Sequence, residues 1–148
     1  MHVIISDKQI ISLEQLYDFV VTIDHDFPVP LSDKVNLKDY SLKLYNNGDI
    51  FAAIIDNKIA GMIAGYNNDH QSKESYISLL AILKEYRGQA ISKQLIFTFI
   101  ETSIKKKMEK ISVYTHKTNT ISIKLYTEMG FINTGLNSRG YLFIKKLI

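Results

Sequence analysis

The segment that most constrains the fold is a strand, a glycine-containing turn and a helix that follow one another between residues 76 and 107. The apolar run is YISLLAIL, the turn is EYRGQAIS, and the helical pattern is KQLIFTFIETSIKKK. Because the first backbone N–H groups of a helix have no partner within the helix, such a turn can direct them at a phosphate group. The pattern therefore predicts either an anion-binding turn or a plain corner between a strand and a helix.

Two familiar phosphate-binding motifs do not fit this turn. A P-loop contains Gly-Lys-Ser/Thr, and RGQAIS has no such triplet. A dinucleotide-binding fingerprint needs three spaced glycines, whereas this turn has one. Taken alone, the turn is more typical of a plain corner.

The rest of the chain predicts strands and helices around this segment. Predicted strands are His2–Ser6, the two arms of a hairpin turning at Asp56 and Asn57, the run Tyr76–Leu83, and the later strands Ile111–Thr115, Phe131–Thr134 and Tyr141–Ile148. A capping box at Ser12–Gln15, a cap at Asn36 and a stop at Gly130 mark three helices besides the one at Ile91–Lys107. We therefore predict a single α+β domain over residues 1–148.

Helical spacing also predicts which side chains are buried. In the first helix the recurring apolar residues are Leu13, Leu16, Tyr17, Val20 and Val21, and in the helix after the turn they are Leu95, Phe99 and Ile104.

Composition excludes several kinds of chemistry. The chain has no cysteine, so it can form no disulfide, no thiolate metal site and no acyl-thiol intermediate. Its net charge of +3 is weak support for a nucleic-acid partner. No apolar run reaches membrane-spanning length, and the N-terminus lacks a leader pattern. We expect a cytoplasmic protein with no nucleic-acid and no membrane partner.

A second pattern, NTISIKLYTEMGF, follows the predicted strand at Ile111–Thr115. It places Asn119 and Tyr126 seven residues apart, which is two helical turns and therefore one face. Together with the turn, it resembles the GNAT superfamily of acyl-CoA-dependent N-acetyltransferases. The family's pyrophosphate motif corresponds to Arg87, Ala90 and Ser92, and its later motif to Asn119, Ser122, Tyr126, Gly130 and Phe131. The resemblance implies a mixed, mostly antiparallel sheet flanked by about four helices.

Two residues depart from the family's turn. Ala90 stands where the family has its central glycine, and Ser92 where it has a final glycine or alanine. A Cβ at position 90 would cost about 1–2 kcal/mol if that residue had a positive φ. An alanine in the right-handed region would fit without strain and would only narrow the approach of a phosphate.

The resemblance implies acetyl-CoA as co-substrate and no metal. The pantetheine arm would lie along the strand Leu79–Leu83, at Leu80 and Ile82, like an added strand. The pyrophosphate would meet the backbone of the turn and Asn119 would contact the cofactor; the implied turn residues are Arg87, Gly88, Gln89, Ala90, Ile91 and Ser92. Tyr126 would be the acid that protonates the leaving sulfur. The plain alternatives are a core tyrosine at 126 and a helix cap at Asn119.

The residues that face the acceptor are less specific. His116, just past a strand, is a candidate base or an exposed loop histidine. A further candidate group lies just before two prolines and consists of Asp24, His25 and Asp26. These residues either line the acceptor pocket or belong to a solvent-exposed loop. Further candidates are Ser78, which with Tyr76 could bind a water that carries the proton, and Arg139.

The interpretation that follows is an N-acetyltransferase whose acceptor is a primary amine on a small polar metabolite, such as an amino sugar. The amine would attack acetyl-CoA directly in a ternary complex. A protein or peptide amine is the alternative acceptor, and a non-catalytic acyl-CoA sensor is the alternative from another class. The sequence does not determine whether the protein forms a homodimer.

Overall fold

The structure is a computed structural model that describes residues 3–88 and 90–148. Within these residues the chain forms seven strands, β1 (Ile4–Asp7), β2 (Asp49–Ile55), β3 (Lys58–Tyr66), β4 (Glu74–Ile82), β5 (Lys110–Thr115), β6 (Ile132–Asn137) and β7 (Gly140–Lys146). It also forms four α-helices, α1 (Leu13–Ile23), α2 (Leu37–Asn47), α3 (Ile91–Lys105) and α4 (Thr120–Glu128). His2, the first residue of the strand predicted at His2–Ser6, lies outside the described part of the chain.

All seven strands belong to one sheet, in the order β1-β2-β3-β4-β5-β7-β6. Neighbouring strands are antiparallel except β4 and β5, which are parallel. The predicted α+β class and the mostly antiparallel sheet with four helices are confirmed.

The parallel pair β4–β5 is short, and the two strands then separate. Pairing joins residues 74–77 of β4 to residues 110–113 of β5. Past that point β4 stays paired with β3, as far as Ile82 opposite Gly61, whereas β5 stays paired with β7, as far as Thr115 opposite Tyr141. A gap therefore opens in the middle of the sheet.

The apolar core has two parts, each formed by different helices packed on the sheet. One contains Leu95 and Phe99 of α3 with Tyr126 and Phe143, and the other contains α1 and Leu44 of α2 packed on β2, β3 and β4. Burial of both clusters stabilises the sheet on its two faces, at roughly 25 cal/mol for each Å² of apolar surface removed from water.

Two predicted buried positions are wrong. Val21 of α1 is 44% exposed, because the buried face of that helix runs through Leu16, Phe19, Val20 and Ile23. Ile104 of α3 is 53% exposed. The last turn of α3 instead turns Ser103 inward, where its hydroxyl donates to the Asn67 side chain at 2.7 Å.

The predicted local signals are confirmed. Ser12 and Gln15 form the capping box, and the side chains of Asn36 and Asn119 cap α2 and α4. Asp56 and Asn57 both have positive φ in the hairpin turn, the geometry that matches the twist of the two strands.

Ala90 is a strained residue at the start of α3. Its backbone lies in the left-handed region, with φ 60° and ψ 15°. Ala90 therefore has the positive φ that carries a Cβ penalty, and not the unstrained right-handed conformation. A Cβ there costs about 1 kcal/mol, because it approaches the following carbonyl oxygen.

We predict that Ala90→Gly raises the stability of the protein. Removing the Cβ relieves the left-handed strain, so the free energy of unfolding should rise by about 1 kcal/mol and the Tm by about 2–4 °C. The matched control is Gln94→Gly, an exposed position within α3 that should lower the stability by a similar amount. A lower Tm for Ala90→Gly in thermal unfolding would contradict the strain argument.

Candidate active site

The gap between β4 and β5 opens into a cleft of about 960 Å³. Its walls come from β4, β5, α2, the start of α4, the segment between α1 and α2, and the turn between β6 and β7. Six sequence-predicted site residues line it: Ser78, Leu80, His116, Asn119, Tyr126 and Arg139. The fold thus brings together residues from four separate parts of the chain.

The edge of β4 presents unpaired backbone groups to this gap. The Leu83 N–H donates to the Ala60 carbonyl of β3 at 2.8 Å. Because successive residues of a strand direct their backbone groups to opposite sides, those of Leu80 and Ile82 face away from β3. The Ile82 carbonyl accepts from Arg87 Nε at 3.1 Å. The backbone groups of Leu80 therefore remain available to an extended chain lying in the gap.

Tyr126 lines the cleft while its ring is held in the core. The ring packs against Phe131 at 5.2 Å and Phe143 at 6.3 Å between centroids, and the residue is 3% exposed. Among the described residues, no group hydrogen-bonds the Tyr126 hydroxyl. Burial raises the pKa of Tyr126 well above its usual value, and nearby Tyr76 adds to the effect. The hydroxyl is therefore a neutral donor with no partner in the described part of the chain.

Two further tyrosines, Tyr40 and Tyr66, line the cleft beside Tyr76. The Tyr40 hydroxyl lies 2.7 Å from the Ser78 hydroxyl, and burial raises the pKa of Tyr40. Burial also raises the pKa of Tyr66 and of Tyr76. Neither Tyr40 nor Tyr66 is among the site residues predicted from the sequence. The only sequence signal for Tyr66 is its position at the end of an apolar strand, and that position alone does not predict a site residue.

His116 is not arranged as a base. Its Nδ1 accepts from the Thr118 N–H at 3.1 Å and lies 2.7 Å from the Thr118 hydroxyl. Because a backbone N–H can only donate, Nδ1 carries the lone pair, so in the neutral ring the proton is on Nε2. The nitrogen that could take a proton is thus already occupied by the loop.

The predicted anion-binding turn lies at the start of α3 and does not line the cleft. Ile91 is buried in the core, so only its backbone could meet a ligand. Within residues 3–88 and 90–148, no side chain caps the first turn of α3 and no acidic residue lies in it, so its N–H groups and the positive end of the helix can face a ligand. Of the predicted turn residues, Gln89 lies outside the described residues.

Asp24, His25 and Asp26 do not line the cleft. The Asp24 carboxylate accepts from the Ser32 hydroxyl at 2.5 Å and the Ser32 N–H at 2.9 Å, and these bonds lower the pKa of Asp24. Asp26 accepts from Arg87 at 3.0 Å. The carboxylates expected to bind an acceptor instead hold the loop closed and join it to the turn. The residues of this loop that reach the cleft are apolar: Phe27, Pro28, Val29 and Leu31.

Thr115, at the end of β5, carries a hydroxyl that nothing in the described structure satisfies. The residue is 5% exposed and lines the cleft, and its Oγ1 has no hydrogen-bond partner. A buried polar atom without a partner costs about 1–3 kcal/mol. Such an atom beside an open cleft points to a ligand group that completes it.

Most of the sequence matches a known family. Residues 13–131 fit the acetyltransferase (GNAT) family. The chain belongs to the GNAT family. The resemblance seen in the two sequence patterns is thereby confirmed.

The relatives of this chain include two that are named N-alpha-acetyltransferases. The N-alpha-acetyltransferase MAK3 of Arabidopsis thaliana is 30% identical over 55% of this chain and 44% of its own length. The N-alpha-acetyltransferase 30 of Saccharomyces cerevisiae is 27% identical over 96% of this chain and 83% of its own length. The chain thus spans less than half of the first relative. In the crystal structure of the NatC complex bound to Gag peptide and CoA, one chain has the same fold, with a TM-score of 0.80, 23% identity and full coverage of both chains.

The described residues contain neither a metal-binding cluster nor a membrane-spanning helix. Residues 3–88 and 90–148 contain no cluster of three His, Asp or Glu side chains able to hold a metal ion. None of the helices in this part of the chain combines the length and the apolar character needed to cross a membrane.

We predict that Asp24→Asn lowers stability rather than acceptor binding. The pKa of the folded-state carboxylate is depressed, so its contribution is present at neutral pH and is lost as pH falls through the folded pKa. The variant should have a lower Tm than the wild type at pH 7. The difference between the two Tm values should become smaller below about pH 4. The control is Asp26→Asn, whose partly exposed ion pair contributes little. An unchanged Tm with a raised acceptor KM would return Asp24 to the acceptor site.

We also predict that Thr115→Val leaves the free protein at least as stable as the wild type. The methyl group fills the same space and removes an unsatisfied polar atom. The KM for one of the two substrates should rise about 2- to 10-fold, the value of one net hydrogen bond. Ser103→Ala is the contrasting control, because the Ser103 hydroxyl has partners and its loss should lower the Tm. A lower Tm with unchanged KM values would make Thr115 an ordinary core residue.

Proposed function

We propose that this protein transfers the acetyl group of acetyl-CoA to the α-amine of a peptide or protein N-terminus. The observation that carries the proposal is the likeness over 96% of the chain to an N-alpha-acetyltransferase. The NatC complex, which contains a chain of the same fold, binds a peptide and CoA. A peptide or protein N-terminus thereby replaces the small polar metabolite as the favoured acceptor.

The walls of the cleft support a peptide acceptor. The polar loop that suggested an amino sugar directs its carboxylates at Ser32 and Arg87, away from the cleft. What it offers to the cleft is an apolar wall. At about 960 Å³ the cleft is at the upper end of ordinary ligand sites. That size and that wall suit the first side chains of a peptide together with an extended co-substrate.

Acetyl-CoA, when bound, supplies the acetyl group as a thioester. The unpaired backbone of Leu80 is suited to pair with an extended arm in the gap, and the free N–H groups at the start of α3 are suited to a pyrophosphate. Asn119 caps α4 through Oδ1 at 3.1 Å, which leaves its amide N–H groups free to donate. These residues would hold the co-substrate, while the Thr115 hydroxyl would gain the partner it lacks.

Tyr126 is suited to stabilise the leaving group by donating a hydrogen bond. Its pKa is raised by burial, so its proton stays on the phenol oxygen. Complete transfer to a thiolate, whose ordinary pKa is about 8.5, would run strongly uphill. A neutral donor fixed in a dry site stabilises negative charge as it develops on a leaving atom. A non-catalytic sensor would have no use for this donor.

The test is acceptor-dependent thiol release from acetyl-CoA. We expect free-amine peptides to be acetylated with a higher kcat/KM than an amino sugar or a polyamine. Tyr126→Phe should lower kcat roughly 10- to 1000-fold with little change in the KM for acetyl-CoA. The matched control is Tyr17→Phe, a half-buried tyrosine of α1 that lies beside Lys38 and does not line the cleft, which should leave kcat unchanged.

Two outcomes would contradict the proposal. A higher kcat/KM for the amino sugar than for every peptide would restore the small-metabolite acceptor. Binding of acetyl-CoA without release on any amine would favour the sensor. The cytoplasmic location, the single domain and the absence of a metal stay predictions.

A further inference from the structure

The turn between β6 and β7 fixes Arg139 at the wall of the cleft. The Asn137 side chain accepts from the Arg139 N–H at 2.8 Å and donates to the Tyr114 hydroxyl at 3.2 Å. Gly140 has a φ of 117°, and its Cα lies so close to the Thr115 carbonyl that a Cβ would overlap it. The turn is therefore anchored on β5 from both of its ends.

The guanidinium group of Arg139 is held in one orientation. Its central carbon lies 4.3 Å from the centroid of the Tyr114 ring, and Nη2 donates to the Tyr76 hydroxyl at 3.1 Å. An arginine carries five N–H donors on a planar fork, and the two tyrosines engage only part of them. Within the described residues, no carboxylate lies within ion-pair distance of Arg139. The rest of the fork is therefore free for an anion.

The charges along the cleft favour the same kind of ligand. Its lining contains three cations, Lys34, Lys43 and Arg139, against one carboxylate, Asp39. In the described part of the chain none of the three cations forms an ion pair. A concave site with an excess of one charge concentrates ligands of the opposite sign. The same field disfavours a protonated amine, which helps the acceptor to arrive in its neutral, reactive form.

Arg139 is also close to the place where the acceptor would react. It binds the hydroxyl of Tyr76, and Tyr76 is near enough to Tyr126 to affect its ionisation. One side chain thus separates Arg139 from the proposed donor to the leaving group. An anion held on Arg139 would therefore lie in the same part of the cleft as Tyr76.

We propose that Arg139 is a specificity-determining residue that binds a carboxylate of the acceptor, so that the preferred acceptors are peptides with Asp or Glu at their first or second position. The inference rests on the proposed function and names its substrate class. A guanidinium fork and a carboxylate form two parallel, charge-assisted hydrogen bonds. An amide of the same shape forms weaker ones and gains nothing from the positive cleft.

The test compares peptides that differ only in Asp against Asn, or Glu against Gln, at the first two positions. The wild-type protein should favour the acid by about 10- to 100-fold in kcat/KM, mainly through KM. The preference should weaken with salt, because an exposed charge is screened. Direct binding of the two peptides in the presence of CoA, measured by calorimetry, should give the same order without depending on turnover.

Variants at position 139 assign the preference to this side chain. Arg139→Gln should reduce the acid-to-amide ratio to near one, and Arg139→Lys should retain part of it, since the charge stays while the fork is lost. Thermal unfolding checks that each variant is folded. Lys58→Gln, an exposed cation on β3 away from the cleft, is the matched control and should leave the ratio unchanged.

The outcomes separate this proposal from the proposed function. Acetylation of peptides with no acid preference, or a preference that survives in Arg139→Gln, would overturn the role of Arg139 and leave peptide acetylation intact. Free aspartate or glutamate acetylated with a higher kcat/KM than the acidic peptides would overturn the peptide assignment. If no peptide reacts or binds, both proposals are wrong.

Discussion

The separation of β4 from β5 after four paired residues is the constraint on which the rest of the site depends. Each strand keeps its outer partner, so neither can close the gap, and the backbone of Leu80 is left without a strand beside it. The same separation exposes the end of β5 and the start of α4 to one cleft. Residues from distant parts of the chain, Tyr76 and Tyr126 among them, meet there for that reason.

The chemistry of the cleft depends on its tyrosine hydroxyls. Burial raises the pKa of Tyr40, Tyr76 and Tyr126, so their hydroxyls stay protonated. Tyr40 is hydrogen-bonded to Ser78 and Tyr76 accepts from Arg139, whereas the Tyr126 hydroxyl has no partner among the described residues and can donate to a ligand. The unsatisfied Thr115 hydroxyl has the same meaning, and both represent stability that the free protein gives up at the site.

Sequence reasoning identified the site unevenly. Ser78, Leu80, Asn119, Tyr126 and Arg139 all line the cleft. The family resemblance implied Leu80, Asn119 and Tyr126, whereas Arg139 reaches the cleft from the turn between β6 and β7. The acceptor loop was judged by its charges, and its carboxylates are instead taken up by Ser32 and Arg87. A loop's side chains find partners across the fold, and no periodicity in the sequence predicts those partners.

The sequence by itself determined the helix caps at Ser12, Asn36 and Asn119, the hairpin turn and the order of the elements. Each of these depends on groups within a few residues of one another, so composition and spacing suffice to predict it. The tertiary structure decided the rest. It chose the strained alternative for Ala90, and it placed Arg139 against Tyr76, 63 residues away in sequence. Contacts of that range are set by how the strands pair and separate, which local pattern does not encode.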